Sequence, residues 1–230
     1  MIKWFGFSRR LCVELSIQRF CCLLLVLLPQ GFSHADTDVM VNPSAGAKPN
    51  VSEPNCAVCH GSNWQGNSIL ASPNLYILPD WYISGQIQSY QKGWRQRAEQ
   101  PSISDDMASV ARALNATQIA DALSVKQQLK PVASVVKKST LVAERINQGK
   151  AAFAACASCH GSEGQGKQIL HAPPLAGQNL AYLKAQLVSF GLGRRGFSAD
   201  DIYGQQMAQA LTWPMSDETL DALLAYISTL

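Results

Sequence analysis

The chain has 230 residues, 19 Lys and Arg against 16 Asp and Glu, and 47% hydrophobic residues. Setting aside the first 35 residues leaves fifteen bases and fifteen acids, so the formal charge of +3 comes from the N-terminus. With Lys and Arg scattered and no basic stripe, nucleic acid is excluded as a partner.

In chain order, Lys3, Arg9, Arg10 and Arg19 precede a nine-residue apolar run at 20–28, and Ser33-His34-Ala35 offers a small-x-small cleavage site. That pattern predicts a secretory signal peptide over 1–35. The apolar run is too short to span a bilayer, which argues against an uncleaved anchor. Ser8-Arg9-Arg10 is only a faint twin-arginine signal. Residues 36–50, rich in Pro, Asn, Ser and Ala, read as an extended leader. A first domain is expected over 51–130, a linker over 131–140 and a second domain over 141–230. Helices are predicted at 81–91, 117–129, 141–155, 180–190 and 217–228, the last with Ser216 as N-cap. No segment alternates with strand period for long, so the class is all-α.

Cys56-Ala57-Val58-Cys59-His60 recurs one hundred positions later as Cys156-Ala157-Ser158-Cys159-His160. The same offset takes Gly61 to Gly161, Gly66 to Gly166, Pro73 to Pro173, Tyr82 to Tyr182, Gln86 to Gln186, Arg95 to Arg195 and Met107 to Met207. Self-similarity at one period means a tandem duplication. CxxCH is the attachment site of a c-type haem, its thiols forming the thioethers and its histidine the proximal ligand. Two copies predict two covalently bound haem c groups, held by Cys56 and Cys59 with His60, and by Cys156 and Cys159 with His160. The other three cysteines, Cys12, Cys21 and Cys22, fall in the signal, which leaves no spare thiol. A zinc site from the two CxxC pairs is disfavoured by their separation and by the histidine after each. A thioredoxin-like pair would need a preceding strand, whereas a helix precedes Cys156.

The second axial ligand sets the chemistry: His with Met suits electron transfer, and an open position suits catalysis. Met107 and Met207 lie 47 residues beyond their histidines, and of the four methionines after residue 35 only these two align. Met215 is a rival for the second iron, and Met40 lies in the leader. His171 is the one further histidine after residue 35, with Ala71 as its counterpart, so bis-histidine ligation of both haems is excluded. Pro73 and Pro173 stand thirteen residues after their histidines. A backbone carbonyl there could accept the second imidazole N–H, or the prolines could serve only as turn residues. Arg95 and Arg195 are candidates to bind haem propionates, the alternative being solvated surface arginines.

With CASCHGSEGQG, APPLAGQNLAYLKAQLVSFGLGRRG, YGQQM and SDETLDALLAYI in the second copy, and CAVCHG, PNL, WYISGQIQSYQKGWR and MASVARAL in the first, the chain resembles the dihaem class I cytochromes c of the cytochrome c4 family. It is also similar to cytochrome c domains serving terminal oxidases. The resemblance covers about residues 50–230. It implies two class I domains packed with pseudo-twofold symmetry, and a periplasmic, monomeric electron carrier that is not an enzyme. The implied partners are redox proteins: a quinol-oxidising complex or dehydrogenase as donor, a terminal oxidase or reductase as acceptor, with docking at membrane complexes. The alternatives are a cytochrome subunit of a periplasmic dehydrogenase and a dihaem peroxidase, the latter opposed by the two aligned methionines. Three departures stand out: Trp64 in place of the glycine at Gly164, Pro214 before the last helix, and no helix pattern ahead of Cys56.

Overall fold

The computed structural model describes residues 55–95, 105–130 and 143–230. The expected signal peptide (1–35), leader (36–50) and linker (131–140) lie outside them. Residues Ala47–Leu230 form one compact unit, and its two halves repeat one plan.

The first half holds α1 (Ala57–His60), α2 (Asp80–Gln91), α3 (Asp105–Ala113) and α4 (Ala116–Gln128). The second holds α5 (Ala143–His160), α6 (Leu180–Gly191), α7 (Ile202–Ala210) and α8 (Asp217–Ile227). No strand is found among the described residues, only the isolated bridges Asn67–Ser72 and Lys167–Ala172, again one hundred apart. The all-α expectation therefore holds. No helix among the described residues is long and apolar enough to cross a membrane.

Local chemistry explains the starts of the helices. Asn115 caps α4 by accepting from Gln118 N–H at 2.9 Å, while its own N–H donates to the Gln118 amide oxygen at 3.0 Å, a reciprocal capping box. Asn179 accepts from Ala181 N–H at 2.9 Å ahead of α6, Asp201 from Gly204 N–H at 3.0 Å ahead of α7, and Ser216 from Thr219 N–H at 3.2 Å ahead of α8. Each side chain satisfies a donor that the first turn leaves open. Besides the four-residue α1, two helices escaped the periodicity reading, and they are the two that carry Met107 and Met207: α3 and α7. Each is only nine residues long, and the apolar stripe of so short a helix is hard to tell from loop composition.

The helix expected at 141–155 is present and runs on through the whole of Cys156–His160. It crosses α8 at Gly149, where Phe153, Leu220, Leu223 and Leu224 form the second core with Tyr182 and Leu183 of α6. The first core is built from Leu78, Tyr82, Ile83, Ile87 and Tyr90, with Ala108 and Ala111 of α3 packed on them.

Candidate haem-binding site

Each CxxCH histidine is the last residue of a helix, α1 or α5, and a glycine turns the chain back beneath it. Gly66 N–H donates to the His60 carbonyl at 2.8 Å and Gly166 N–H to the His160 carbonyl at 2.7 Å. Both glycines have positive φ, +89° and +79°, and a Cβ on either would strike the chain around Pro73 or Pro173; at Gly166 it would lie 2.6 Å from Pro174 N. Only glycine allows that approach, and the approach sets the proline carbonyl against the imidazole. The Pro73 oxygen lies 3.1 Å from His60 Nδ1, and the Pro173 oxygen 2.8 Å from His160 Nδ1. A carbonyl only accepts, so Nδ1 carries the proton and the Nε2 lone pair is left for a metal. Burial lowers the pKa of both imidazoles, against the opposing effect of the proline carbonyls. The rings are therefore kept neutral, as a ligand must be.

Cys56 and Cys156 are half-buried, and Cys59 and Cys159 exposed. Burial pushes the Cys156 thiol up. Among the described residues, no group of three or more His, Cys, Asp or Glu gathers at one point.

Met107 is the third residue of α3 and packs against the first core. Met207 is the sixth residue of α7 and half-buried. Met215 lies between α7 and α8, one residue after Pro214, and packs against the second core. The two aligned methionines thus occupy corresponding helices, and Met215 remains available to the second site. His171 is held elsewhere. Its ring stacks on Tyr203 with centroids 3.7 Å apart and meets Trp81 edge-on at 5.5 Å.

Trp64 takes the positive φ of Gly164, 58° against 65°, and its carbonyl accepts from Leu75 and Tyr76 N–H as that of Gly164 does from Leu175 and Ala176. The turn is therefore conserved in shape. A Cβ on Gly164 would meet Leu230 Cδ1 at 3.1 Å, whereas Trp64 is accommodated in the first copy as a buried residue.

Arg95 and Arg195 are buried, 6% and 7% exposed, so the surface alternative fails. Arg95 donates from Nη1 to the Gln86 amide oxygen at 3.0 Å and from Nη2 to that of Gln186 at 2.8 Å. Arg195 mirrors it, with Nη1 to Gln186 at 2.8 Å and Nη2 to Gln86 at 2.6 Å. Arg95 stacks over Tyr90 and Arg195 over Phe190. This closed ring lies across the pseudo-twofold relation between the lobes. One feature breaks the symmetry: Arg195 Nη2 also donates to the Tyr82 hydroxyl at 3.3 Å. Burial pushes the Tyr82 phenol up, but the guanidiniums of Arg195 and Arg95 outweigh it and hold the group below its usual range. Tyr182 is pushed up by burial, then by Tyr82.

Further polar bonds join the lobes. Asn74 N–H donates to the Gln178 amide oxygen at 2.6 Å, Asn74 Nδ2 to the Gly177 carbonyl at 3.1 Å, and Asn179 Nδ2 to the Ser72 carbonyl at 3.0 Å. The sequence reading missed all of these residues as well as the roles of Gln86 and Gln186. A signal existed, since Tyr82, Gln86 and Tyr90 fall at i, i+4 and i+8 on one helix face and are polar or aromatic in both copies.

The residues present fit haem c. Both guanidiniums keep a buried Nε–H with no partner, and among the described residues their acceptors are amide oxygens, with the Tyr82 phenol added for Arg195, rather than carboxylates. Buried cations in that state call for anions close by, and haem propionates are carboxylates. A separate groove of about 620 Å³, lined by Lys92, Trp94, Ala199, Asp200 and Ile202, contains none of the candidate ligands.

A sequence profile described as cytochrome c matches residues 146–230. Cytochrome c-554(547) of Halothiobacillus neapolitanus is 37% identical over 81 residues, covering 34% of this chain and 86% of the relative. The thiosulfate dehydrogenase electron acceptor of Thiomonas intermedia is 30% identical over 149 residues, covering 61% of this chain; the chain spans 64% of that relative's length. The solved cytochrome c4 of Acidithiobacillus ferrooxidans superposes with a TM-score of 0.57, at 27% identity, covering 76% of this chain and 98% of that one. The chain belongs to the cytochrome c family, whose members bind haem c covalently. Within that family its two-lobed form is that of cytochrome c4, a dihaem class I cytochrome.

Proposed function

We propose that the protein is a periplasmic dihaem electron carrier. Cys56 and Cys59 would hold one haem c and Cys156 and Cys159 the other, with His60 and His160 as proximal and Met107 and Met207 as distal ligands. When bound, each haem supplies one reversible Fe(III)/Fe(II) couple. The chain's own part is to hold the ligands still. The observation that carries the reading is the matched pair of buried imidazoles, each with Nδ1 fixed by a proline carbonyl and Nε2 free.

Fixed, solvent-poor ligands keep rearrangement between oxidation states small, which suits electron transfer better than substrate chemistry. Arg95 and Arg195 would lie against haem propionates through their spare Nε–H groups, offsetting charge where water is excluded. The protein acts as a monomer, accepting from a quinol-oxidising complex or a dehydrogenase and passing electrons to a terminal oxidase or reductase. A dehydrogenase as donor is favoured by the Thiomonas relative, which is named as the electron acceptor of thiosulfate dehydrogenase.

The test is haem stoichiometry and ligation in protein exported to the periplasm. Pyridine haemochrome should give two haems per chain, and the weak far-red band of an Fe(III)–Met bond should have the intensity of two bonds. One haem, or a band of half intensity or less, would refute the dihaem carrier with two methionine ligands.

A further inference from the structure

Two like charges buried side by side do not hold one orientation without a fixed frame. Here the frame is two amide oxygens. Gln86 comes from α2 and Gln186 from α6, and each accepts once from the guanidinium of its own lobe and once from that of the other. An amide oxygen has two lone pairs, so both are used. Neither arginine can turn without breaking a bond to each lobe. The stacking of Arg95 on Tyr90 and Arg195 on Phe190 restrains the guanidinium planes but not their rotation within the plane. That rotation is what the glutamines stop, and it determines where the unpartnered Nε–H groups are directed.

We infer that Gln86 and Gln186 are positioning residues that join Arg95 and Arg195 into one charge unit serving both haems, so that a change in one lobe alters the reduction potential of both. The inference rests on the dihaem reading above. A glutamine supporting only its own arginine would affect only its own lobe's haem. The crossed bonds remove that independence, because Gln86 accepts from Arg195 at 2.6 Å, closer than from Arg95 at 3.0 Å. The extra bond from Arg195 to the Tyr82 hydroxyl makes the unit unequal, and the low phenol pKa of Tyr82 agrees with its lying in the field of both cations.

The experiment uses the full holoprotein. Spectroelectrochemical titration gives the two midpoint potentials, and the paramagnetically shifted haem methyl resonances assign each to a lobe. Gln86→Met keeps the length of the side chain but removes the acceptor. Freed guanidiniums compensate the haem carboxylates less well, so both ferric haems are favoured and both midpoints should fall. The expected shift is at least threefold in each one-electron reduction constant, about 28 mV at 59 mV per decade. Gln186→Met should do the same from the other lobe, and it provides an independent variant if the first does not fold. A shift confined to the haem of the substituted lobe, or no shift in either, overturns the inference. Parent protein carrying fewer than two haems overturns the dihaem reading itself, and the haem count distinguishes that failure from the first.

Discussion

Gly149 lies midway along α5, where that helix crosses α8, and substituting it by alanine tests the crossing directly. A methyl built there falls 2.6 Å from the Ala222 carbonyl carbon and 2.8 Å from Tyr226 Cβ, with the Ala222 carbonyl oxygen closer still. Carbon atoms rest about 3.5–4.0 Å apart, so the helices would have to separate by roughly an ångström. The nearest neighbours are backbone and a Cβ, and neither can rotate aside. Leu223, 1% exposed, and Phe153, 2% exposed, pack beside the crossing and would lose contact as it opens. Overpacking of this kind costs about 1–3 kcal/mol, and the rigid neighbours put it at about 3. Alanine recovers about 1 kcal/mol of helix propensity. The net loss of about 2 kcal/mol corresponds to about 4–8 °C in melting temperature for a unit of this size. Gly85→Ala is the control. It sits inside α2 with nothing within 4 Å of the added methyl, and the second copy already carries Ala185 there. That variant should gain up to about 1 kcal/mol. Thermal unfolding of the holoprotein followed by far-ultraviolet circular dichroism measures both. A Gly149→Ala protein that melts at or above the parent would refute the close-crossing argument.

Met207→Ala should remove one of two Fe(III)–Met far-red bands and leave one haem open to added imidazole, while Met215→Ala leaves the band intact; the reverse outcome assigns the second distal ligand to Met215. Asp80 accepts from Lys126 Nζ at 2.6 Å and from Gln127 Nε2 at 3.0 Å, tying α4 to the start of α2. The Lys126 hydrogen bond, opposed by burial and helped by Gln127, holds its carboxyl below the usual range. A lowered carboxylate pKa stabilises the fold above the unfolded value of about 4, and the effect is lost as pH falls through the folded one. Because the Asp80 side chain is 38% exposed, Asp80→Asn should cost no more than about 1 kcal/mol at pH 7. Parallel urea melts should show the gap closing as the pH is lowered below 4, and a gap that persists there would exclude the ion pair as its source.

Local order was legible in the sequence, and contacts between the lobes were not. CxxCH, the hundred-residue repeat and the longer helices are all patterns within one stretch of chain. Residues 180–190 and 217–228 carry apolar stripes and turn signals that fix them without reference to distant residues. The proline carbonyls were legible only in part: Pro73 and Pro173 stand thirteen residues after their histidines, but that spacing alone did not separate a carbonyl partner from a plain turn residue. Arg95 and Arg195 show where this reasoning ends. Their equivalence was plain from the repeat, but each was treated as serving one haem in one lobe, because a repeat compares residues and does not place them together. Only the fold sets Gln86 against Arg195 and Gln186 against Arg95. In a duplicated chain, a polar residue preserved on the apolar face of both copies has two candidate locations, its own core and the contact with its twin. Gln86 is half-buried and accepts from Arg195 of the other lobe at 2.6 Å, which places it at the contact with its twin.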